Sequence, residues 1–141
     1  DGRMNIEVVG HERFRVLELH HDQAYLTGTV ERFPLQETGE PAAAACARRL
    51  APWISRYLKL LGQAADLKLD QQAMPARPAA LAYLGAIILQ VPMPEKQALL
   101  NCASAQAMLE REHRLYRREI SLVRAMLAAP PAQQASDFSP N

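Results

Sequence analysis

The sequence is poor in the residues from which catalytic and metal sites are usually built. Its two cysteines, Cys46 and Cys102, are far apart and outside any metal-ligand spacing. That argues against a disulfide framework or a zinc knuckle and predicts two buried free thiols in a reducing compartment. The six glycines are scattered and no G-x-x-x-x-G-K-[ST] run occurs, so no loop is expected to cradle a phosphate and no ATP hydrolysis is expected within the chain. Neither sign of charge dominates: 16 basic residues against 15 acidic ones leave +1, a balance that neither draws the chain to polyanions nor repels it from them. The longest apolar candidate, Leu81 to Val91, falls far short of the roughly 20 residues that cross a bilayer. No basic-then-apolar leader opens the chain, which predicts a cytoplasmic protein with no membrane partner and no cofactor.

What is present suits one domain with its own core, since 49% of the 141 residues are hydrophobic and 22% charged. From Met4 to Pro34, β-branched and aromatic residues recur with period two between short turn signals, the pattern of an antiparallel meander of three strands. Met4, Ile6 and Val8 form the first. Phe14 and Val16 then point one way while Leu17 and Leu19 point the other, a phase change that predicts a bulge. After a turn at His21 to Gln23, Ala24, Leu26, Gly28 and Val30 alternate along the third strand.

Past Pro34 the period becomes helical. Leu50, Trp53, Ile54, Tyr57, Leu58 and Leu61 form a stripe that must be buried, in a helix that holds Pro41 in its first turn, ends at Gly62 or shortly after, and kinks or breaks at Pro52, where a backbone hydrogen bond is lost. Residues Ala64 to Arg77 read as a connection. A second helix runs from Pro78 to about Gln90 with Leu81, Leu84, Ile87, Ile88 and Val91 on its apolar face, and a short third one from Pro94 to about Cys102. Ser104 caps the longest helix, which carries Met108/Leu109, Leu115/Tyr116, Leu122/Val123 and Met126/Leu127 on to Ala129. The fold class is α+β: a partial antiparallel β-meander over 1–34, then a bundle of four to five helices over 41–129 with one long C-terminal helix, and a flexible proline-rich tail over 130–141 that holds Phe138.

The segment DGRMNIEVVGHERFRVLELHHDQAYLTGTVERFP, with Gly10, Arg13 and Phe14 in a G-x-x-R-F strand turn and Tyr25-Leu26 in the next strand, resembles the second half of the β-rich part of the substrate-binding domain of Lon-type proteases. The helical segment RPAALAYLGAIILQVPMPEKQALLNCASAQAMLERE, with Glu95, Lys96, Gln97, Leu99 and Leu100 followed by Met108-Leu109, is similar to the same family. The resemblance implies a PUA-like β pseudo-barrel of which the strands here are a remnant, and an N-terminally incomplete copy of the domain, expected to stand alone, with a fragment of a full protease as the alternative. It further implies recognition of unfolded polypeptide or client protein for degradation, in company with an ATP-dependent protease. Within such a fold Phe14 and the alternating aliphatics are expected to cover a core face.

The remaining candidates carry less. Ser55 and Lys59 stand one helical turn apart like a serine-lysine dyad, but no oxyanion loop accompanies them. His20 and His21 project to opposite faces of a strand and cannot converge with Asp22 on one ion. Cys102, near Lys96 and His113 in sequence, lacks a fixed base. The aromatic residues Phe14, Tyr25, Phe33 and Trp53, at the expected junction of sheet and helices, are the candidate peptide contacts. An alternative class is RNA binding, with Arg111, Arg114 and Arg118 at i, i+3 and i+7 as phosphate contacts. Against it, Glu110 is expected to pair with Arg114, and Glu112 and Glu119 to dilute the stripe, so nucleic acid ranks below polypeptide. Homo-oligomerisation through a strand edge or the long helix is the third reading.

Overall fold

The structure, a computed structural model, describes residues 4–7, 10–37, 40–65 and 74–128. A hairpin of β1 (Phe14–His20) and β2 (Thr27–Arg32) precedes four helices, α1 (Glu40–Ala65), α2 (Pro78–Ile88), α3 (Met93–Leu100) and α4 (Ala105–Ala128). The strands pair antiparallel, Phe14 opposite Arg32 at one end and His20 opposite Thr27 at the other. The ladder shifts between Val16 and Glu18, so Leu17 is the extra residue of a bulge, as the change of side-chain phase requires.

Among the described residues the expected three-strand meander is a sheet of two strands. Met4 and Ile6 lie outside any strand and are 84% and 79% exposed, and Val8 is outside the described residues. A strand needs a neighbour to take up its backbone hydrogen bonds, and residues 4–7 have none among the described residues. Ala24 and Leu26 belong to the β1–β2 connection, and β2 begins at Thr27.

The core belongs to the helices. Leu50, Ile54 and Tyr57 of α1 meet Leu81 and Ala82 of α2, Leu99 of α3, and Met108, Leu109, Tyr116 and Ile120 of α4, with the rings of Tyr57 and Tyr116 edge to face at 5.3 Å. The α1 helix passes through Pro52 without a break. Pro52 and Arg48 both lie on its exposed side, so the carbonyl freed by the missing N–H faces solvent. Leu50, Ile54 and Tyr57, each essentially inaccessible, bracket the proline, and burying each such side chain contributes about 1.5–3 kcal/mol, enough to offset the ~3 kcal/mol cost of a helical proline.

The α1 helix ends at Ala65, shortly after Gly62 as expected; the other helix ends differ slightly from the sequence reading. The α2 helix stops at Ile88 because Leu89 turns extended and drops into the core, its N–H still donating to the Gly85 carbonyl at 3.1 Å. Ile87, expected on the apolar face, is 73% exposed. The α3 helix starts at Met93 with Pro94 and Glu95 in its first turn and ends at Leu100. Ser104 caps α4, its Oγ accepting from the Ala107 N–H at 3.3 Å. Beyond Ile120 no residue of α4 is buried, and Leu122, Met126 and Leu127 are exposed rather than core. Residues 66–73 and 129–141, including Phe138, are outside the described residues.

The hairpin is not sealed by the helices. No residue of β1 or β2 is buried, so Phe14 covers no core face. The hairpin is fastened at one end: the Arg13 Nη2 donates to the carbonyls of Leu100 and, at 2.7 Å, Cys102. Just after β2, Gln36 exchanges backbone bonds with Ala103 and Ala105 at 2.9 Å each, and Leu35 packs against the helical core.

Candidate polypeptide-binding surface

The hairpin follows from its sequence: Phe14, Val16, Leu19, Thr27, Thr29 and Val30 favour extended backbone, and Gly28 meets the β1 backbone where a side chain would not fit. A Cβ at Gly28 would lie 2.8 Å from the Glu18 carbonyl oxygen. Phe14, Val16, Leu17, Leu19 and Val30 are all about half exposed or more, and Tyr25 is 70% exposed at the far end. A two-stranded sheet with apolar side chains on both faces exceeds what scattered surface hydrophobics explain.

Where the hairpin meets the helices, a groove of about 430 Å³ lies between β1 and the carboxy end of α3, lined by Phe14, Val16, Phe33 and Leu100 together with Arg13 and Arg15. The Phe33 ring sits under both guanidiniums, 4.9 Å from that of Arg13 and 4.3 Å from that of Arg15. Nε and Nη1 of Arg13 are buried without a hydrogen-bond partner, and the face of Phe33 is their compensation.

Of the four aromatic candidates, the structure brings Phe14 and Phe33 together at this groove. Tyr25 sits at the opposite end of the hairpin, and Trp53 lies on α1, edge to face with His113 of α4 at 5.3 Å and with the Arg56 guanidinium over its ring at 5.9 Å. These four do not make one site.

The arginine stripe is also divided. Arg118 is committed to Glu95, with Nη1 and Nη2 donating to the two carboxylate oxygens at 2.9 and 2.6 Å, and to Glu119. These bonds hold the Glu95 carboxyl below its usual range and push the Arg118 guanidinium up. Arg111 and Arg114 are exposed. Glu110 does not form the expected pair with Arg114; it accepts from Gln106 at 3.0 Å and from the Cys46 thiol.

Cys46 and Cys102 are both free, and burial pushes both thiols up, the direction of an inert sulfur. His20 shares a 2.8 Å hydrogen bond with the Thr29 hydroxyl across the hairpin. Among the described residues no group of three or more potential ligands gathers for a metal ion, and no described helix is long and apolar enough to cross a membrane.

The largest departure from the sequence reading is Glu112. Expected on a solvated face, it is fully buried, and neither carboxyl oxygen has a hydrogen-bond partner. Its carboxyl lies under Gly85 of α2, where an added Cβ would come within 2.6 Å of Oε2. Burial pushes its pKa up to about 9 despite the nearby Lys96, so the group is a neutral acid at pH 7. Tyr116, one turn on, donates to the Gly85 carbonyl at 2.7 Å, and Lys96 caps α2 by donating to the carbonyls of Ala86 and, at 3.3 Å, Ile87. Four residues past Met108 and four before Tyr116, Glu112 stands inside the apolar stripe of α4, and that position was the signal in the sequence.

No curated protein matches the chain closely enough to count as a relative. A family match spans hairpin and helices together: residues 1–118 fit the model of the ATP-dependent protease La (LON) substrate-binding domain, and the chain belongs to that family, a substrate-binding module rather than a catalytic one.

Proposed function

We propose that this domain holds unfolded or extended client polypeptide for degradation by an ATP-dependent protease, and that the hairpin is the part that grips. One observation carries the reading: a two-stranded sheet with apolar side chains on both faces and backbone edges that no other described strand covers. Such a surface suits extended chains, because backbone pairing supplies affinity for any sequence and shallow apolar contacts favour exposed hydrophobic segments over folded surfaces. The helical core gives the hairpin a rigid base. The nucleic-acid reading draws less support, since Arg118 is spent on carboxylates.

Titration of the domain with a fluorescently labelled, permanently unfolded model protein tests this. Wild type is expected to raise the anisotropy with the unfolded protein and not with its native form. Phe14→Ala and Phe33→Ala should weaken binding while far-UV circular dichroism stays unchanged, because neither residue is in the core. Absence of any signal with wild type would refute the proposal.

A further inference from the structure

The groove beside β1 has a direction and a charge, and together they narrow what it can hold. The Phe33 N–H donates to the Arg13 carbonyl at 2.9 Å, which makes Arg13 and Phe33 a hydrogen-bonded pair. Pairs alternate along an antiparallel ladder, so Phe14, opposite Arg32, and Val16, opposite Val30, turn their N–H and C=O groups away from β2. Residues 13–16 all line the groove, consecutive positions that only the edge of a strand can present on one side. The groove therefore runs along unpaired backbone, with the end of α3 as its other wall.

Its charge has one sign. Arg13 and Arg15 line it and no aspartate or glutamate does. Arg13 is occupied by the carbonyls of Leu100 and Cys102. Arg15 is exposed and stacked on Phe33, and it makes no ion pair among the described residues. Glu31 stands directly across from it on β2, yet the guanidinium lies over the ring instead, leaving its N–H fork free for a planar acceptor.

Resting on the function proposed above, we infer that this groove takes an extended peptide as a third strand, paired with the backbone of Phe14 and Val16, and selects one that places a carboxylate on Arg15. The client segments preferred here are acidic and apolar in alternation: aliphatic side chains against Phe14, Val16 and Leu100, and an aspartate, a glutamate or a terminal carboxylate at the guanidinium. A nucleic-acid strand fits less well, because a single uncommitted arginine among the described lining residues cannot follow a run of phosphates.

The test uses labelled extended peptides of alternating valines with glutamate, glutamine or lysine at the centre, titrated into the domain at low salt. The glutamate peptide is expected to bind roughly fivefold more tightly than the glutamine peptide, the scale of one exposed ion pair, and the lysine peptide most weakly. Arg15→Ala should erase the difference between glutamate and glutamine, Arg15→Lys should keep part of it, and Glu31→Gln should enlarge it by removing the competing carboxylate. Methylating the backbone amides of the peptide on one edge should abolish binding whatever the central residue. Equal affinities for the glutamate and glutamine peptides would overturn the acidic preference and leave the proposed function standing; indifference to both patterns of amide methylation would overturn the third-strand geometry. Binding of a single-stranded oligonucleotide through Arg15, with no peptide bound, would replace the ligand class. Failure of every peptide and of the unfolded model protein would refute the proposed function itself.

Discussion

Replacing Glu112 by glutamine should make the protein more stable at neutral and alkaline pH, and by an amount that grows with pH. In the folded protein burial holds the carboxyl neutral up to about pH 9, whereas in the unfolded chain it ionises above its ordinary value near 4.5. Between those two values the folded state binds one proton more than the unfolded state, so this group's contribution is greatest below the lower value and is lost as pH rises toward the upper one. The slope is about 1.4 kcal/mol per pH unit. From pH 5 to pH 7 the wild type should lose about 3 kcal/mol through this residue, and about 4 kcal/mol by pH 8, a large share of the 5–15 kcal/mol typical of a domain. Glutamine keeps the volume and cannot ionise. Urea unfolding followed by circular dichroism at pH 5, 6, 7 and 8 gives both profiles. Glu95 and Glu110, held low by their partners, and His113, held low by burial, titrate in both proteins and cancel in the difference. The two stabilities should lie close at pH 5 and diverge steadily above it. Parallel profiles would refute the reasoning, as would a variant weaker than wild type at every pH.

The space around the same carboxyl gives a second test: Gly85→Ala should cost roughly 1–3 kcal/mol by overpacking, despite alanine's better helix propensity, since the buried Glu112 cannot swing aside, and the cost should shrink in a Glu112→Ala background, where only Ile54 Cδ1 stays close at 3.3 Å, when both are measured by urea unfolding. Tyr116→Phe removes the 2.7 Å bond to the Gly85 carbonyl, but that oxygen keeps the Leu89 N–H, so chemical denaturation should show a loss of about 1 kcal/mol. Lys96→Met uncaps α2 at Ala86 and Ile87; thermal unfolding should register a loss of about 1 kcal/mol, and amide exchange should quicken at the end of α2 first. Arg118→Ala breaks an exposed pair with Glu95 and should change stability by less than about 1 kcal/mol, an effect that disappears in high salt.

The helices were legible because their apolar stripes are long and each is punctuated by a proline, a glycine or the Ser104 cap. The bulge was legible for a similar reason: Phe14 and Val16 against Leu17 and Leu19 leave only one way to change phase. Strand pattern misled at Met4 and Ile6, since alternation records a preference for extended backbone and cannot supply the partner strand that residues 4–7 lack among the described residues. At Ile87 and Met126 apolar character placed residues in a core that does not reach them. Glu112 was misread on its chemistry, because a carboxylate is costly to bury and the sequence does not show that burial would neutralise it. The groove could not be read from the sequence at all: it needs Arg15 and Leu100, from distant parts of the chain, brought together by Arg13 reaching across to α3.

The way the hairpin is attached has a mechanical consequence. Two of its ties to the rest of the molecule, the Arg13 side chain and the Gln36 backbone, meet the turn between α3 and α4, and α4 carries on from that turn past its last fully buried side chain, Ile120. On the proposed function, part of a pull on a captured chain would reach the first turn of α4, whose far end carries no buried side chain among the described residues.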